Sequence, residues 1–359
     1  MKIFYIENVR LPTEKAHGIQ IMKMCEAFAR VGHEVELVVP RRLNHIKEDP
    51  FDYFDVERIF NIKRIPCLDL IKFGRVGFWV EMVTFTFFTL IYIWRRSDHF
   101  YTRDEFVAFC LNLLGRQVVW ETHTGQRNFF VRSLIKHKIP IVAISLGLKN
   151  FYIDLGVPKD NICVAHDGVD LKQFKQDISQ TEARVRLGLE EVGKIVMYVG
   201  RLDKGKGYPT FAEASKYLDQ VQFIAIGTGD CANMNGNVKL LGYFPYAELS
   251  MNQRAADVLV IPNSARDEIS NRFTSPMKLF AHMASGVPIV ASGVPAIREI
   301  LNDKNAYLFE PDNPKDLVRA IELVLSSQES SLRAKQALED VKGYTWEKRA
   351  ESIIRFIRI

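Results

Sequence analysis

Short apolar runs alternate with segments of helical periodicity along the whole chain. The first run is Lys2–Glu7, and Ile19–Val31 follows it with apolar residues at helical spacing and a helix stop at Gly32. Similar runs predict further strands at His33–Pro40, His99–Thr102, Val118–Glu121, Ile139–Ile144, Ile162–Ala165, Ile195–Val199, Val221–Ile226, Val238–Leu241, Val258–Ile261, Ile289–Ala291 and Tyr307–Phe309. Strands that alternate with helices indicate mostly parallel sheets covered by helices on both faces.

This rhythm restarts after Lys194, and a chain of 359 residues is too long for one compact core. The sequence therefore predicts an α/β protein with two Rossmann-like doubly wound domains that face each other across a cleft. We expect the first domain over residues 1–175 and the second over 190–344. The polar segment Lys172–Gly193 is predicted to be the linker, with a short helix leading into the second domain.

The loop after Ile195–Val199 combines glycines with positive charge. Gly200, Gly205 and Gly207 allow tight turns, Arg201 and Lys206 lie in the same loop, and a helix is predicted to follow. Backbone amides at a helix N-terminus and two full charges are well suited to bind a phosphate group. Taken alone, the same residues also fit an ordinary solvated loop.

Ligands of open parallel sheets bind beyond the carboxyl ends of the strands, so the loops there hold the candidates in the first domain. Gly18 precedes a helix, where its amide would face an anion, and His17 lies beside it. His123 follows one predicted strand, and Arg103 and Asp104 follow another as acceptor-side candidates. The alternatives are a plain surface loop around Gly18, a structural histidine, and an arginine and aspartate that simply pair.

One apolar segment, Gly77–Trp94, is close to the length of a membrane span. Glu81 and several threonines interrupt it, and basic residues flank it on both sides. A domain helix, a membrane-surface contact and a true span all remain open. The excess of basic residues between Arg58 and Arg103 favours anionic lipid head groups as the partner of such a surface.

Composition and charge narrow the classes of protein to which this sequence can belong. The net charge of +5 is mild for this length and gives no strong case for nucleic acid. The five cysteines are widely spaced and form no CxxC pair, which indicates reduced thiols in the cytoplasm and neither a disulfide framework nor a zinc site. The first residues lack the apolar core of a signal peptide.

Several motifs in combination resemble one enzyme family. They are GRLDKGKG (Gly200–Gly207), AIGTGD (Ala225–Asp230), ADVLVIPNS (Ala256–Ser264), FTSPMKLFAHMASGVPIVAS (Phe273–Ser292) and VPAIREIL (Val294–Leu301), with EKAHGIQ, YTRD, WETH and HDGVDLKQF in the first half. The chain is similar in these motifs to the retaining glycosyltransferases of family 4, which have the GT-B fold and use nucleotide-sugar donors. The resemblance also implies that the final helix, from about Thr345, crosses back onto the first domain.

The resemblance assigns roles to individual residues. It implies that Arg201 and Lys206 bind the donor diphosphate and act in catalysis together with His123. The remaining donor-site positions are Gly18, Gly200, Gly229, Ser275, Pro276 and Lys278. The residues from Ser275 to Lys278 begin a predicted helix, whose amides suit a phosphate, although Lys278 is equally consistent with a solvated helix position.

One departure from the family pattern concerns a pair of glutamates that many members carry with seven residues between them. Phe273 and Ala281 stand at those positions, and neither side chain can accept a hydrogen bond from a sugar or ribose hydroxyl. Loss of such a charge-assisted bond costs roughly 1.5–3 kcal/mol if nothing replaces it. His282, Asp267 and Glu268 are the nearest polar candidates to compensate.

These features predict a glycosyltransferase that moves a hexose, with retention, from a nucleotide-diphosphate sugar to a glycan or lipid-linked acceptor. We expect no metal and no other cofactor, because no DxD-type sequence stands out and cationic side chains can stabilise the leaving group. The expected location is the cytoplasm, at the inner membrane surface. A non-catalytic nucleotide-sugar-binding partner subunit is the alternative, and an epimerase or phosphorylase of the same fold stays open.

Overall fold

The computed structural model describes residues 1–96, 98–174, 178–234 and 236–357. These residues divide into two units. The first holds residues 1–144, 148–165 and the final helix Trp346–Ile357, and the second holds residues 145–147 and the described part of 166–345. Residues 175–177 of the predicted linker and the last two residues of the predicted final helix lie outside the described residues.

The elements follow one another as the apolar pattern predicts. Those up to the end of the first sheet are β1 (Lys2–Ile6), α1 (Ala16–Arg30), β2 (Glu34–Pro40), α2 (Pro50–Phe54), β3 (Asn61–Ile65), α3 (Gly74–Tyr92), β4 (His99–Thr102), α4 (Glu105–Leu113), β5 (Val118–Thr122), α5 (Phe129–Lys136), β6 (Ile141–Ala143), α6 (Leu146–Asp154) and β7 (Ile162–Val164). Those that follow are α7 (Gln180–Arg186), β8 (Lys194–Val199), α8 (Tyr208–Ala214), β9 (Val221–Ile226), β10 (Val238–Leu240), α9 (Leu249–Gln253), β11 (Val258–Ile261), α10 (Met277–Ser285), β12 (Ile289–Ser292), α11 (Pro295–Arg298), β13 (Tyr307–Phe309), α12 (Pro314–Ser326), α13 (Ser330–Asp340) and α14 (Trp346–Ile357). A π-helical turn at Ile269–Phe273 precedes α10.

Each unit contains one parallel sheet. Among the described residues the first sheet has seven strands in the order β3-β2-β1-β4-β5-β6-β7, and the second has six in the order β10-β9-β8-β11-β12-β13. Both orders reverse direction beside the first strand of the unit, as in a Rossmann fold, and the crevice for a ligand forms at that reversal. The prediction of two Rossmann-like domains is confirmed.

The continuous apolar run in β8 results from burial of the strand on both faces. Ile195, Met197 and Val199 pack into one cluster with residues of α7. Val196 and Tyr198 point to the opposite face and pack into a second cluster with residues of α8 and α12. Because both faces are covered, the strand shows no alternation of apolar and polar residues.

The turn around residues 166–170 belongs to the second unit, although the sequence assigned it to the first domain. Val169 is fully buried in a cluster with Leu279 and Met283 of α10. The backbone amide of Asp167 also donates a hydrogen bond to Ser275 Oγ at 2.9 Å. These contacts attach the turn to the start of α10, so the first unit's N-terminal part ends at Ala165, before the final helix returns to it.

The predicted helix over Gly77–Trp94 is α3, which packs only one side against the first unit. Met82 and Phe85 are buried, and Asn8 Nδ2 donates to Glu81 Oε2 at 3.0 Å. The polar residue that interrupts the apolar run therefore faces inward. In the described part of the chain, Ile71–Tyr92 is the one helical stretch long and apolar enough to cross a membrane, and 33% of its most apolar window is buried.

Gly207 fixes the path of the chain between the loop after β8 and helix α8. Its φ is +74°, and a Cβ atom there would lie 1.6 Å from the carbonyl oxygen of Pro262. Gly207→Ala should therefore lower the melting temperature of the second unit, since the backbone conformation alone costs about 1–3 kcal/mol. Calorimetry measures this, with Gly343→Ala as control because no atom lies within 4 Å of its Cβ position. Equal melting temperatures for the two variants would contradict the prediction.

Candidate functional site

The loop that follows β8 presents its two predicted cations in different settings. Arg201 is largely exposed, and its Nε lies 3.3 Å from Asp203 Oδ2. Asp203 Oδ1 accepts a hydrogen bond from the backbone amide of Lys206 at 2.7 Å. Burial lowers the pKa of Lys206, and the nearby carboxylates of Asp203 and Asp267 oppose that shift. Asp203, which the sequence analysis did not single out, thus shapes the loop and contacts one of its cations.

Lys278 in the first turn of α10 adds a third cation to this loop. Its Nζ lies 4.6 Å above the centre of the Tyr198 ring and makes no hydrogen bond to any described residue. Gly200 borders the ammonium, since a Cβ there would lie at an ordinary contact distance of 3.7 Å from Lys278 Nζ. Burial and the charge of Lys206 lower the pKa of Lys278 to about 7. An anion beside this group would supply the charge and the hydrogen bonds that the protein does not.

The other predicted donor-side residues lie in the same unit. Gly229 is required by a close approach, since a Cβ there would lie 2.5 Å from the carbonyl oxygen of Leu202. Pro276 is the residue before the first turn of α10, and Ser275 Oγ accepts the hydrogen bond from Asp167 described above. The hydroxyl of Ser275 therefore holds a neighbouring turn.

Phe273 and Ala281 are both buried in the second unit, at 2% and 0% exposure. Of the polar candidates to replace the missing glutamates, His282 is buried with its Nδ1 3.0 Å from Gln253 Nε2. Asp267 instead lies at the surface of the loop region. It lines a cavity of about 430 Å³ together with Asp203, Lys204, Gly205, Lys206, Asp230, Cys231 and Ile269. Asp267 and Asp203 are therefore both acidic side chains that line the cavity beside the cations.

In the first unit, His123 lies directly beyond the end of β5 and contacts a buried carboxylate. Its Nε2 lies 2.6 Å from Glu121 Oε1, and Gln20 Nε2 donates to the same oxygen at 2.7 Å. Arg349 of α14 lies 3.0 Å from the other oxygen of Glu121. Burial and the charge of Arg103 lower the pKa of His123 to about 4, so the imidazole is neutral at pH 7.

The acceptor-side candidates surround a small cavity of about 240 Å³ in the first unit. Arg103 Nη1 donates to Gln20 Oε1 at 2.7 Å, and burial and the charge of Arg103 lower the pKa of His17 to about 4. Glu7, which the sequence analysis missed, also lines the cavity, and burial raises its pKa to about 8. An arginine, a neutral histidine and a protonated carboxyl group can together bind sugar hydroxyl groups.

Two of the predicted residues in this unit have structural roles. The carboxylate of Asp104 accepts hydrogen bonds from Phe106 N and Val107 N and so caps α4. The amide of Gly18 donates to the carbonyl oxygen of Lys15 at 2.9 Å, because α1 begins three residues earlier than the apolar pattern indicated. The structure thus engages these groups within the protein, and Asp104 also lines the cavity together with Arg103 and His17.

Four of the residues that the sequence analysis missed each contact a predicted residue, and the fifth, Arg349, contacts Glu121. The five are Glu7, Gln20, Glu121, Asp203 and Arg349. Glu121 lies within the WETH motif, so an ionisable residue two positions before His123 was a usable signal. Arg349 lies on the buried face of the amphipathic C-terminal helix, beside Trp346 and Ile353, and the sequence alone gives no partner for it. Within the described residues, no group of three His, Cys, Asp or Glu side chains is arranged to hold a metal ion.

Comparison with known proteins agrees with this geometry. The family model described as Glycosyl transferases group 1 matches residues 193–327, which include the loop after β8 and the start of α10. A D-inositol 3-phosphate glycosyltransferase from Geodermatophilus obscurus is 26% identical over 215 residues, covering 53% of this chain and 46% of that protein. A phosphatidyl-myo-inositol mannosyltransferase from Mycobacterium tuberculosis is 28% identical over 207 residues, covering 53% of this chain and 52% of that protein. The chain spans about half the length of the curated relatives that it matches.

Solved structures share the fold over almost the whole chain. A sucrose-phosphate synthase from Thermosynechococcus elongatus aligns with a TM-score of 0.78 at 19% identity. The alignment covers 99% of this chain and 98% of the synthase chain. The Anabaena protein HepE, in complex with UDP-glucose, has a TM-score of 0.76 at 14% identity with the same coverage. The predicted resemblance is therefore confirmed in the fold, which is the GT-B fold of these structures, and residues 193–327 resemble group 1 glycosyltransferases.

The low pKa of Lys278 makes the stability of the protein depend on pH. The folded state releases this proton near pH 7, whereas an exposed lysine keeps it until about pH 10.4. The unfolded chain therefore binds more protons in this interval, so this group makes the free energy of unfolding rise with pH from about 7 to about 10. Lys278→Met should abolish that rise.

Urea titrations at several pH values measure this effect in the wild type and in Lys278→Met. Lys204→Met is the matched control, because Lys204 is exposed in the adjacent loop. The control should keep the pH dependence of the wild type. A pH dependence that is the same in all three proteins would show that Lys278 does not titrate in this interval.

Proposed function

We propose that this protein is a glycosyltransferase that transfers a hexose, with retention, from a nucleotide-diphosphate sugar to a glycan or lipid-linked acceptor. The observation that carries the proposal is the buried ammonium of Lys278, which lacks a hydrogen-bond partner among the described residues. It lies beside the loop that carries Arg201 and Lys206, within the domain matched to group 1 glycosyltransferases. A diphosphate is the ligand class that satisfies three clustered cations and a helix N-terminus.

The charges suit departure of a nucleoside diphosphate. When the bond between the anomeric carbon and the phosphate oxygen breaks, the electron pair stays on the diphosphate, and Arg201, Lys206 and Lys278 stabilise it. A preorganised donor of this kind is worth roughly 2.7–4 kcal/mol. The acceptor oxygen then bonds to the anomeric carbon from the side of the leaving group, and a diphosphate oxygen takes the acceptor proton. This route retains the anomeric configuration and needs no protein nucleophile.

We further propose that the cationic side chains perform the role that a divalent metal has in other transferases, so that the donor needs no bound metal. His123 belongs to the first unit, and in this proposal its neutral imidazole contacts a hydroxyl of the transferred sugar. HepE was solved in complex with UDP-glucose, and a relative from Escherichia coli is a galactosyltransferase that uses UDP-Gal. Uridine diphosphate conjugates are therefore the first donors to test.

Lys206→Ala should lower turnover by roughly a hundredfold or more, because it removes one donor to the leaving diphosphate. Lys204→Ala is the matched control from the same loop and should keep full turnover, since the Lys204 side chain is exposed. The measurement is acceptor-dependent release of nucleoside diphosphate, and NMR of the product gives the anomeric configuration. Unchanged turnover in Lys206→Ala would refute the assigned site.

Two other outcomes identify the alternative functions. Calorimetry with UDP, GDP, ADP and their sugar conjugates shows whether any diphosphate binds at all. Binding without transfer to any acceptor would favour a nucleotide-sugar-binding partner subunit, an option that the missing glutamates at Phe273 and Ala281 keep open. Conversion of the nucleotide sugar without an acceptor would favour an epimerase or phosphorylase.

We propose that the acceptor is reached at the cytoplasmic membrane surface through α3. Its outward face exposes large apolar side chains, among them Trp79, Val83, Phe87 and Ile91, each more than 45% exposed. Trp79 also contacts Phe130 of α5, with ring centroids 6.4 Å apart, so the apolar surface continues onto that helix. Amphipathic helices with aromatic residues on one face and basic flanks bind anionic bilayers.

Replacement of both Trp79 and Phe87 by serine should reduce binding to phosphatidylglycerol vesicles at least about tenfold at low salt, because the apolar contact area is lost. Leu332→Ser on α13 is the control, since Leu332 is 63% exposed in the second unit. Sedimentation with vesicles of anionic and of neutral lipid measures the effect. A wild-type protein that ignores anionic vesicles would overturn the membrane proposal and leave the donor site untouched.

A further inference from the structure

The carboxylate of Glu121 is a fully buried group on which four side chains converge. Its Oε1 accepts from His123 and Gln20, as described above, and its Oε2 is 3.0 Å from Arg349 Nη2 and accepts the hydroxyl of Tyr101. Glu121 and Arg349 are 0% and 2% exposed at their side chains. Because β5 and α14 belong to the same unit, this arrangement is internal to the first unit.

A buried carboxyl group without a cation would hold its proton at neutral pH. Burial does favour the neutral form of Glu121, but the charge of Arg349 and the hydrogen bond from His123 outweigh it and hold the pKa well below its usual range. A guanidinium keeps its charge at every pH in question. Arg349 is therefore the fixed charge that keeps Glu121 ionised.

The ionisation of Glu121 decides which nitrogen of His123 carries the proton. An ionised carboxylate can only accept, so the Nε2 of His123 that faces it must be the protonated nitrogen. Nδ1 is then the ring nitrogen that accepts hydrogen bonds. A neutral carboxyl group could instead donate to Nε2, which would move the ring proton to Nδ1.

We propose that Arg349, on the C-terminal helix, is a positioning residue that keeps Glu121 ionised and thereby holds His123 as the tautomer protonated on Nε2. The role assigned to the His123 ring rests on the proposed transferase function, whereas the tautomer itself does not. The other titratable groups that act on this cluster are Tyr5, Glu7, Arg103 and Cys163.

Attachment of the helix does not require this ion pair. Trp346, Ala350, Ile353 and Ile354 of α14 are buried and supply apolar packing. Arg30 of α1 also pairs with Glu347 at 2.9 Å, nearer the solvent. A buried ion pair is weak as a source of stability, because desolvation offsets much of its attraction. The buried arginine therefore fits control of a charge state better than a role as an anchor.

The test is nitrogen-15 NMR of the histidine rings in the full-length protein, without substrate. The wild type should show a neutral His123 protonated on Nε2 at pH 7. Arg349→Met should convert at least part of the population to the Nδ1-protonated form, and Arg349→Lys should restore the wild-type signal. Glu347→Gln is the matched control, since it removes an ion pair of the same helix without reaching Glu121, and it should leave the signal unchanged.

Arg349→Met also leaves a buried carboxyl group without its cation, which threatens folding. The double variant Arg349→Met with Glu121→Leu removes both charges and the acceptor that faces Nε2, so it should fold while losing the preference for the Nε2-protonated ring. A folded Arg349 variant, single or double, that keeps the wild-type ring signals overturns the proposal. Because the signals are read without substrate, this outcome is independent of whether the protein transfers sugar.

Where transfer activity is measured, the same variants separate positioning from structure. Arg349→Met should reduce kcat roughly a hundredfold, in the range expected when a hydrogen-bonding catalytic histidine is disabled. The KM for the donor should change little, because the cationic donor residues lie in the second unit. Equal losses in Arg349→Met and Glu347→Gln would mean that only attachment of the helix matters.

Discussion

Burial of parallel strands on both faces is the constraint from which the chemistry of this protein follows. A strand such as β8 is covered by helices on either side, so its own residues are apolar and cannot carry function. Most candidate residues therefore lie in the loops at the carboxyl ends, where the strand order reverses, and Glu121 within β5 is an exception. The donor cations follow β8 for this reason, just as Arg103 follows β4 and His123 follows β5.

The two units use charge in opposite ways. The second unit collects Arg201, Lys206 and Lys278 around one loop and leaves the buried ammonium without a hydrogen bond from the described residues. Such a site is costly when empty and gains most when an anion arrives. The first unit instead satisfies its buried charge internally, because Glu121 receives donors on both oxygens. In the proposed transfer the two groups have complementary roles: the unsatisfied cation stabilises the diphosphate, and the preorganised neutral histidine contacts the sugar.

Phe273 and Ala281, which stand where many family members have glutamates, are both packed in the interior of the second unit. Phe273 is buried in the π-helical turn before α10, and its carbonyl oxygen accepts a hydrogen bond from Ser145 Oγ at 3.0 Å. Ala281 is buried on α10 itself. Both positions thus serve the interior of the second unit, and the acidic side chains beside the cations are Asp203 and Asp267, which line the loop cavity.

The sequence by itself determined the two Rossmann-like domains, most strands and the cationic loop, because apolar runs and glycine spacing are local patterns. It missed β3, an edge strand of mostly exposed residues whose sequence has no apolar run. Its ligand roles for Gly18 and Asp104 stay predictions, and the structure adds that Asp104 caps α4 and that the amide of Gly18 donates to Lys15 O. Only the tertiary structure decided that Arg349 meets Glu121, since residues so far apart in the chain are brought together by packing of α14 on α1. The burial that leaves the Lys278 ammonium without a hydrogen-bond partner among the described residues was likewise decided by the tertiary structure.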